Sequence, residues 1–132
     1  MNQQKLSKLL QEFTSPLWCS RRVEKYDQIT KWLPVWLYNN IQLGLTLEGL
    51  WSAEYPDRRR VTVEANHFLF QPILSQRVKI AVASMKESID KVGLPSDVIR
   101  TFPFDAVVVA GLRSTHHVKE QAEKWLENGY PL

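Results

Sequence analysis

The feature that most constrains the fold is a change in the spacing of apolar residues along the chain. Between Pro72 and Gly93 the apolar residues recur every three or four positions, at Leu74, Val78, Ala81, Val82, Met85, Ile89 and Val92. This spacing predicts a long amphipathic helix that begins near Pro72 and is ended by Gly93. In 43–47 and 61–65 apolar residues alternate with polar or small ones, which predicts two strands. A chain that carries both patterns is predicted to be an α+β protein.

The two predicted strands are separated by a stretch that contains turn-forming residues. Pro56 and Asp57 suit a turn, so an antiparallel β-hairpin is the simplest connection between 43–47 and 61–65. Gly49 is predicted to mark a bulge in the first strand.

The N-terminal part is predicted to be helical. Leu6, Leu10 and their neighbours predict a short helix over 3–13. A second helix is predicted from Ser20 to Leu33, because its apolar residues follow a 3.6-residue period until Pro34, which disfavours helical geometry. A further turn is expected up to Ile41, so 1–41 forms the helical part of the chain.

The C-terminal part is predicted to contain a short helical turn, a strand and a helix. The short turn follows Pro95, and the apolar run 106–110 predicts a central strand that is covered on both faces. A closing helix follows, capped by Ser114 or Thr115 and ended by Gly129. Its inner stripe is predicted to comprise Val118, Gln121, Ala122, Trp125 and Leu126.

Length and composition predict that 1–132 form a single α+β domain with its own core. The chain has 132 residues, of which 44% are apolar, and it shows neither repeats nor a linker. The single cysteine, Cys19, excludes an internal disulfide and favours the cytoplasm. The N-terminus lacks the apolar core of an export signal, and 32–47 is too short and too polar to span a membrane.

The segment 111–117 is the predicted anion-binding site. It leaves the predicted strand and opens the last helix, where free N–H groups and the helix dipole favour an anion. Gly111, Arg113, Ser114 and Thr115 are its candidate residues, with Arg113 as a clamp on phosphate or carboxylate. The alternative is structural: Gly111 permits a tight turn, Ser114 or Thr115 caps the helix, and Arg113 points into water.

Histidines in the same segment are the candidate catalytic groups. His116 or His117 would act as a general acid or base, since imidazole titrates near neutral pH. Adjacent helical residues point about 100° apart, so the pair does not suit one metal ion, and His67 is the only other histidine. Neither a metal nor a cofactor is predicted.

A second candidate surface is basic and aromatic. The residues predicted to contact a partner or nucleic acid are Arg58, Arg59, Arg60, Arg21, Arg22, Trp51 and Tyr55. Arginines would contact phosphates, and the aromatic rings would stack on exposed bases. The alternative is that a charged hairpin tip only maintains solubility and prevents edge pairing. Cys19 is either a thiolate stabilised by nearby arginines or a small packing residue.

These patterns favour a non-enzymatic accessory or regulatory protein that binds a macromolecular partner. The partner is a protein, a second copy of the chain or nucleic acid, and no membrane association is predicted. The alternative is a small enzyme or ligand sensor that binds a phosphate or carboxylate at 111–117.

Overall fold

A computed structural model describes residues 1–25 and 27–130. It contains both helices and strands, which confirms the α+β class. Contacts divide the chain into two compact units, Met1–Glu64 and Ala65–Leu132, called here the barrel unit and the helical unit. Whether they act as one domain stays a prediction.

The barrel unit consists of one helix followed by a closed barrel. Its elements are α1 (Gln3–Glu12), β1 (Cys19–Val23), β2 (Ile29–Tyr38), β3 (Ile41–Thr46), β4 (Trp51–Glu54) and β5 (Arg60–Thr62). Each strand pairs antiparallel with the next, and a parallel pairing of β5 with β1 closes the barrel.

The helix α1 confirms the first predicted helix. Asn2 caps it, because its side chain accepts a hydrogen bond from the backbone N–H of Lys5 at 2.9 Å. Leu6 and Leu10 form its buried face. Ser7 donates to the carbonyl oxygen of Leu47 at 3.2 Å, so α1 lies beside the turn between β3 and β4.

The second predicted helix, from Ser20 to Leu33, is wrong, because this stretch forms β1, a turn and the first half of β2. The further helical turn up to Ile41 is wrong for the same reason, since β2 continues to Tyr38. The apolar residues of 20–33 fit a helical period by chance. Pairing with β1 and β3 instead provides hydrogen-bond partners for the backbone N–H and C=O groups of β2 on both sides. Pro34 does not end the element. It lies where the register between β2 and β3 shifts, and proline's missing N–H is tolerated at such an irregularity.

The predicted hairpin is corrected by an additional strand. Both predicted strands exist, as β3 and β5, but β4 lies between them and pairs with each. Gly49 is not in a bulge. It has a φ of 83° in the β3–β4 turn, a left-handed conformation that glycine adopts without steric cost.

The inner face of the barrel is partly polar. Trp32 of β2 donates from Nε1 to Ser52 Oγ of β4 at 2.6 Å, and Ser52 Oγ donates to the carbonyl oxygen of Gly44 at 3.2 Å. Arg21 of β1 pairs with Glu54 of β4 at 3.0 Å. The Trp32–Ser52 and Arg21–Glu54 contacts join strands that are not neighbours in the barrel, which places these side chains on its inner face.

The helical unit contains three α-helices and two 3₁₀ helices within residues 65–130. In chain order they are a first 3₁₀ helix (Phe68–Ser75), α2 (Val78–Val92), a second 3₁₀ helix (Ser96–Thr101), α3 (Phe104–Leu112) and α4 (His116–Asn128). Pro72 lies inside the first 3₁₀ helix rather than at the start of α2. Gly93 ends α2 with a φ of 98°, as predicted.

The predicted central strand at 106–110 is wrong, because these residues belong to α3. The buried residues of α3 are Phe104, Val107, Val108 and Gly111, which have helical spacing. The apolar run contains no polar residue that would have revealed this period. No strand lies among 65–130, so the sheet is confined to the barrel unit as far as the chain is described.

The helix α4 confirms the closing helix. Trp125 and Ala122 are buried, but Leu126, which was predicted to be on the inner stripe, is half exposed. Trp125 Nε1 donates to the carbonyl oxygens of Leu74 at 3.2 Å and Gln76 at 2.9 Å, which ties α4 to the segment before α2. None of the helices in the described residues is both long and apolar enough to cross a bilayer.

Candidate functional site

The segment 111–117 connects two helices and does not follow a strand. Gly111 is buried in α3, where a Cβ atom would lie 2.5 Å from Leu74 Cδ1 and 3.0 Å from Ala122 Cβ. The absence of a side chain at Gly111 therefore allows α3 to approach its neighbours closely, whereas the sequence suggested a glycine that permits a turn.

The polar residues of this segment have separate local roles. Thr115 occupies the N-cap position of α4, as predicted, but its side chain forms no capping hydrogen bond. Ser114 does not cap the helix: its Oγ donates to Gln71 Oε1 at 3.0 Å. Arg113 is exposed and lines a cavity of about 490 Å³ together with Asn66 and Gln71. An anion at Arg113 stays a prediction.

The two histidines lie on the first turn of α4. His116 is 88% exposed at its side chain and contacts Glu120 Oε1 at 2.9 Å, one turn further along the helix. His117 Nε2 lies 3.3 Å from Gln121 Nε2 and lines a different cavity from that of Arg113. The histidines and Arg113 are therefore not brought together in one cavity.

The third histidine, His67, has a structural role. His67 Nδ1 accepts a hydrogen bond from the N–H of Leu69 at 3.2 Å and caps the first 3₁₀ helix. No group of three metal-ligating side chains suited to a metal ion occurs in the described residues.

Burial raises the pKa of Tyr130 to about 12, and its hydrogen bond to Asp105 acts in the same direction.

Cys19 lies on the inner face of the barrel beside the Arg21–Glu54 pair. Its Sγ is 3.4 Å from the carbonyl oxygen of Trp32. Burial raises the pKa of the Cys19 thiol above its ordinary value; Arg21 partly offsets this shift, and Glu54 adds to it. A raised pKa disfavours the thiolate, so the environment supports the packing interpretation of Cys19 over the nucleophilic one.

Arg21 and Trp51 are held inside the barrel unit, whereas Tyr55 is partly exposed at the end of β4. Arg21 pairs with Glu54, and its guanidinium lies 5.3 Å from the centre of the Trp32 ring. Trp51 is buried, and the backbone N–H of Tyr55 donates to the carbonyl oxygen of Arg60 at 2.8 Å in the β4–β5 turn. The buried indole of Trp51 is not available for stacking on a base.

The other four predicted residues are at the surface. Arg22 pairs with Asp27 at 2.7 Å, and Arg60 lies 3.6 Å from Glu24. Arg58 and Arg59 are exposed in the β4–β5 turn, and neither forms an ion pair with a carboxylate of the described chain. The turn is specific in conformation, since Arg59 has a left-handed φ of 49°.

Strand register extends this surface across three strands. Arg22 of β1 is the partner of both Arg60 on β5 and Ile29 on β2, so the three form one row on the outside of the barrel. Ile29 is 68% exposed, and Lys31, two residues further along β2, is exposed on the same side. We call the residues Arg22, Ile29, Lys31, Arg58, Arg59 and Arg60 the basic face.

Sequence reasoning missed Ile29 and Lys31 as surface residues because a helix was predicted there. Alternate residues of a strand point the same way, which places Ile29 and Lys31 on one face of β2, and the apolar residue at 29 gave no signal of exposure.

Comparison of the chain with protein-family models, curated proteins and solved structures found no match.

Proposed function

We propose that the protein is a non-enzymatic accessory protein that binds an anionic macromolecule through the basic face. The observation that carries this proposal is the row of Arg60, Arg22 and Ile29 across β5, β1 and β2, with the exposed Arg58–Arg59 turn directly preceding β5. A rigid barrel that presents several cations on one side is suited to contact with a row of negative charges.

Nucleic acid is the form of partner that the arginines favour. A guanidinium donates two parallel hydrogen bonds to a phosphate, and such contacts need no particular base sequence. Since Trp51 is buried, the proposed binding uses the phosphate backbone without stacking on its ring. The expected binding is therefore strongly dependent on salt and weakly dependent on sequence.

Two carboxylates pair with arginines of the basic face and give the proposal a distinctive consequence. Asp27 and Glu24 neutralise Arg22 and Arg60, so only part of the positive charge is available in the free protein. Phosphate groups would replace these carboxylates as partners. Removing the carboxylates is therefore expected to strengthen binding, whereas removing arginines weakens it.

The non-enzymatic part of the proposal is supported by the placement of the histidines. His116 is almost fully exposed and faces Glu120 of its own helix, while Arg113 lines another cavity. A general acid or base works best in a site that positions substrate and excludes water, and 111–117 offers an exposed helix start.

The experiment is a titration of labelled single-stranded and duplex oligonucleotides with the full chain, followed by fluorescence anisotropy at about 50 to 200 mM salt. The test variant is Arg58→Ser with Arg59→Asn, because asparagine tolerates the left-handed conformation of position 59. The matched control is Lys5→Gln with Lys8→Gln, which removes two exposed charges from α1 of the same unit.

Wild-type binding should weaken with salt, and the test variant should lower the slope of log Kd against log salt by about two. The control variant should bind like the wild type, and Glu24→Gln with Asp27→Asn should bind more tightly. Absence of binding at the lowest salt, or equal losses in the test and control variants, would refute a nucleic-acid partner.

A protein partner, including a second copy of the chain, is the second candidate, and Ile29 favours it. An apolar side chain that is 68% exposed beside arginines resembles the mixed composition of protein interfaces. Sedimentation velocity over a range of concentrations would detect self-association, and Ile29→Asp should abolish it. A species of constant monomer size would exclude the second copy as the partner.

A further inference from the structure

A groove in the helical unit shares no residue with the basic face. Of its lining residues, only His117 was a candidate site residue in the sequence analysis. Its volume is about 640 Å³, and it runs between the segment 74–79 and one side of α4. The lining positions on α4 extend from His117 to Asn128, which is a length of about 16 Å at the helical rise per residue. A groove of this length is too long for a single small anion.

The floor of the groove is apolar and held in place. Leu74, Val78 and Trp125 form it, and all three are buried. The bifurcated hydrogen bond from Trp125 Nε1 to the carbonyl oxygens of Leu74 and Gln76 fixes one wall against the other. The groove is therefore largely preformed, which reduces the entropy cost of binding.

The rim of the groove is cationic. Arg77, Lys79 and Lys124 line it and are exposed, and none of them pairs with a carboxylate of the chain as described. The one carboxylate on the rim, Glu120, contacts His116 at 2.9 Å. Three cations against one engaged carboxylate make the groove complementary to an acidic occupant.

A buried side-chain oxygen in the same groove lacks a donor. Gln76 lines the groove, and its Oε1 is buried without a hydrogen-bond partner. A buried acceptor without a partner costs free energy, so an occupant that brings an N–H group is favoured. The backbone of a peptide carries such donors, whereas a carboxylate or phosphate ion does not.

We propose that this groove binds an extended acidic peptide segment of another protein, about five residues long at the rise of an extended chain. Acidic side chains of the peptide pair with Arg77, Lys79 and Lys124, an apolar side chain packs on the floor of the groove at Val78, and a backbone N–H donates to Gln76 Oε1. This site is independent of the basic face, so either proposal can fail without the other.

The test is selection of a displayed library of random seven-residue peptides on the full chain, followed by anisotropy titrations of the selected peptides in labelled form. The test variant is Lys79→Glu with Lys124→Glu. The control is Lys86→Glu with Lys119→Glu, which makes the same charge changes on α2 and α4 at exposed positions outside the groove.

Selected peptides should be enriched in aspartate and glutamate around an apolar residue. The test variant should weaken their binding by about tenfold or more, and the control by much less. Failure to select any peptide, selection of peptides without acidic residues, or equal losses in both variants would overturn the proposal. Complete competition by an oligonucleotide, but not by unlabelled peptide, would overturn it in favour of a nucleic-acid site.

A second variant tests the main-chain contact without adding charge. Gln76→Met removes the buried oxygen at similar volume, so thermal stability should not fall, because an unsatisfied polar atom is lost. Affinity for the selected peptide should fall by several-fold. Unchanged affinity would overturn the extended pose in which Gln76 receives a hydrogen bond.

Discussion

The two units bury their tryptophans in different ways. In the barrel unit Trp32 donates to the side chain of Ser52, and the Arg21–Glu54 pair lies on the same inner face. In the helical unit Trp125 donates to two backbone carbonyl oxygens and packs among aromatic rings. Backbone acceptors persist when side chains change, whereas a side-chain network fails when one member is lost. The barrel should therefore be the unit more sensitive to conservative substitution.

The largest expected effect is that of Gly44→Ala in the barrel. A Cβ atom at this position would lie 2.5 Å from the carbonyl oxygen of Leu33 and 2.6 Å from Trp32 Cε2. Neither a paired strand nor a fully buried indole can move without breaking hydrogen bonds, so the free energy of unfolding should fall by about 3 kcal/mol or more. Urea denaturation followed by circular dichroism measures this change. A loss below about 1 kcal/mol would show that the indole does not cover Gly44.

The second effect is that of Glu54→Ala, which leaves Arg21 without its partner. Both side chains are mostly buried, with 19% exposure for Arg21 and 15% for Glu54. Because some solvent reaches the pair, we expect a loss of about 2 kcal/mol, below the cost for a fully buried pair. Urea denaturation is again the measurement.

A double-mutant cycle separates the pair from the space that it fills. Arg21→Met with Glu54→Leu removes both charges, so its loss should be smaller than the sum of those for Arg21→Met and Glu54→Leu made singly. Additive losses would mean that the two charges do not stabilise each other inside the barrel.

The presence or absence of polar residues within an element explains which helices could be predicted from the sequence. The helices around Leu6, Met85 and Trp125 were predictable because each has a polar face that makes its apolar period visible. The run 106–110 has no polar residue, so its period was hidden, and its β-branched residues favoured a strand. In 20–33 the apolar positions satisfied a helical period although neighbouring strands decide the structure.

The candidate surfaces were predictable only where the exposure of a residue followed from its local sequence. Arg58 and Arg59 lie in a turn, so their exposure was correctly anticipated from sequence. The position of Arg21 inside the barrel, and the row formed by Arg22, Arg60 and Ile29, depend on strand register between distant segments. Register is a tertiary property that local spacing does not contain.

The third prediction is a glycine-to-alanine substitution in the helical unit, to be compared with Gly44→Ala in the barrel unit. In Gly111→Ala the new Cβ would lie 2.5 Å from Leu74 Cδ1, the end of a flexible side chain, and 3.0 Å from Ala122 Cβ. Leu74 can rotate, and alanine favours the helix more than glycine does, so the net loss should be about 1 kcal/mol. Parallel urea denaturation of both alanine variants tests the comparison. If Gly111→Ala is as destabilising as Gly44→Ala, the helical unit is not the more tolerant one.

The smallest expected effect is on the reactivity of the Cys19 thiol, whose alkylation rate reports on the inner face of the folded barrel. Because burial raises the pKa of Cys19, less thiolate is present near neutral pH than in a free thiol. Alkylation of the folded chain by iodoacetamide should be slower than that of glutathione, and the inflection of its pH–rate profile should lie at higher pH.

Slow alkylation would also result if iodoacetamide could not reach the thiol. Substitution of the two charged residues beside Cys19 separates these explanations. Glu54 raises the pKa of Cys19 and Arg21 lowers it. Glu54→Gln should therefore move the inflection to lower pH, and Arg21→Gln should move it to higher pH. Loosening of the barrel would speed alkylation in both variants without moving the inflection in opposite directions. Opposite shifts would thus place both charges beside the thiol in solution, and shifts in one direction would contradict the ion pair as the polar centre of the barrel.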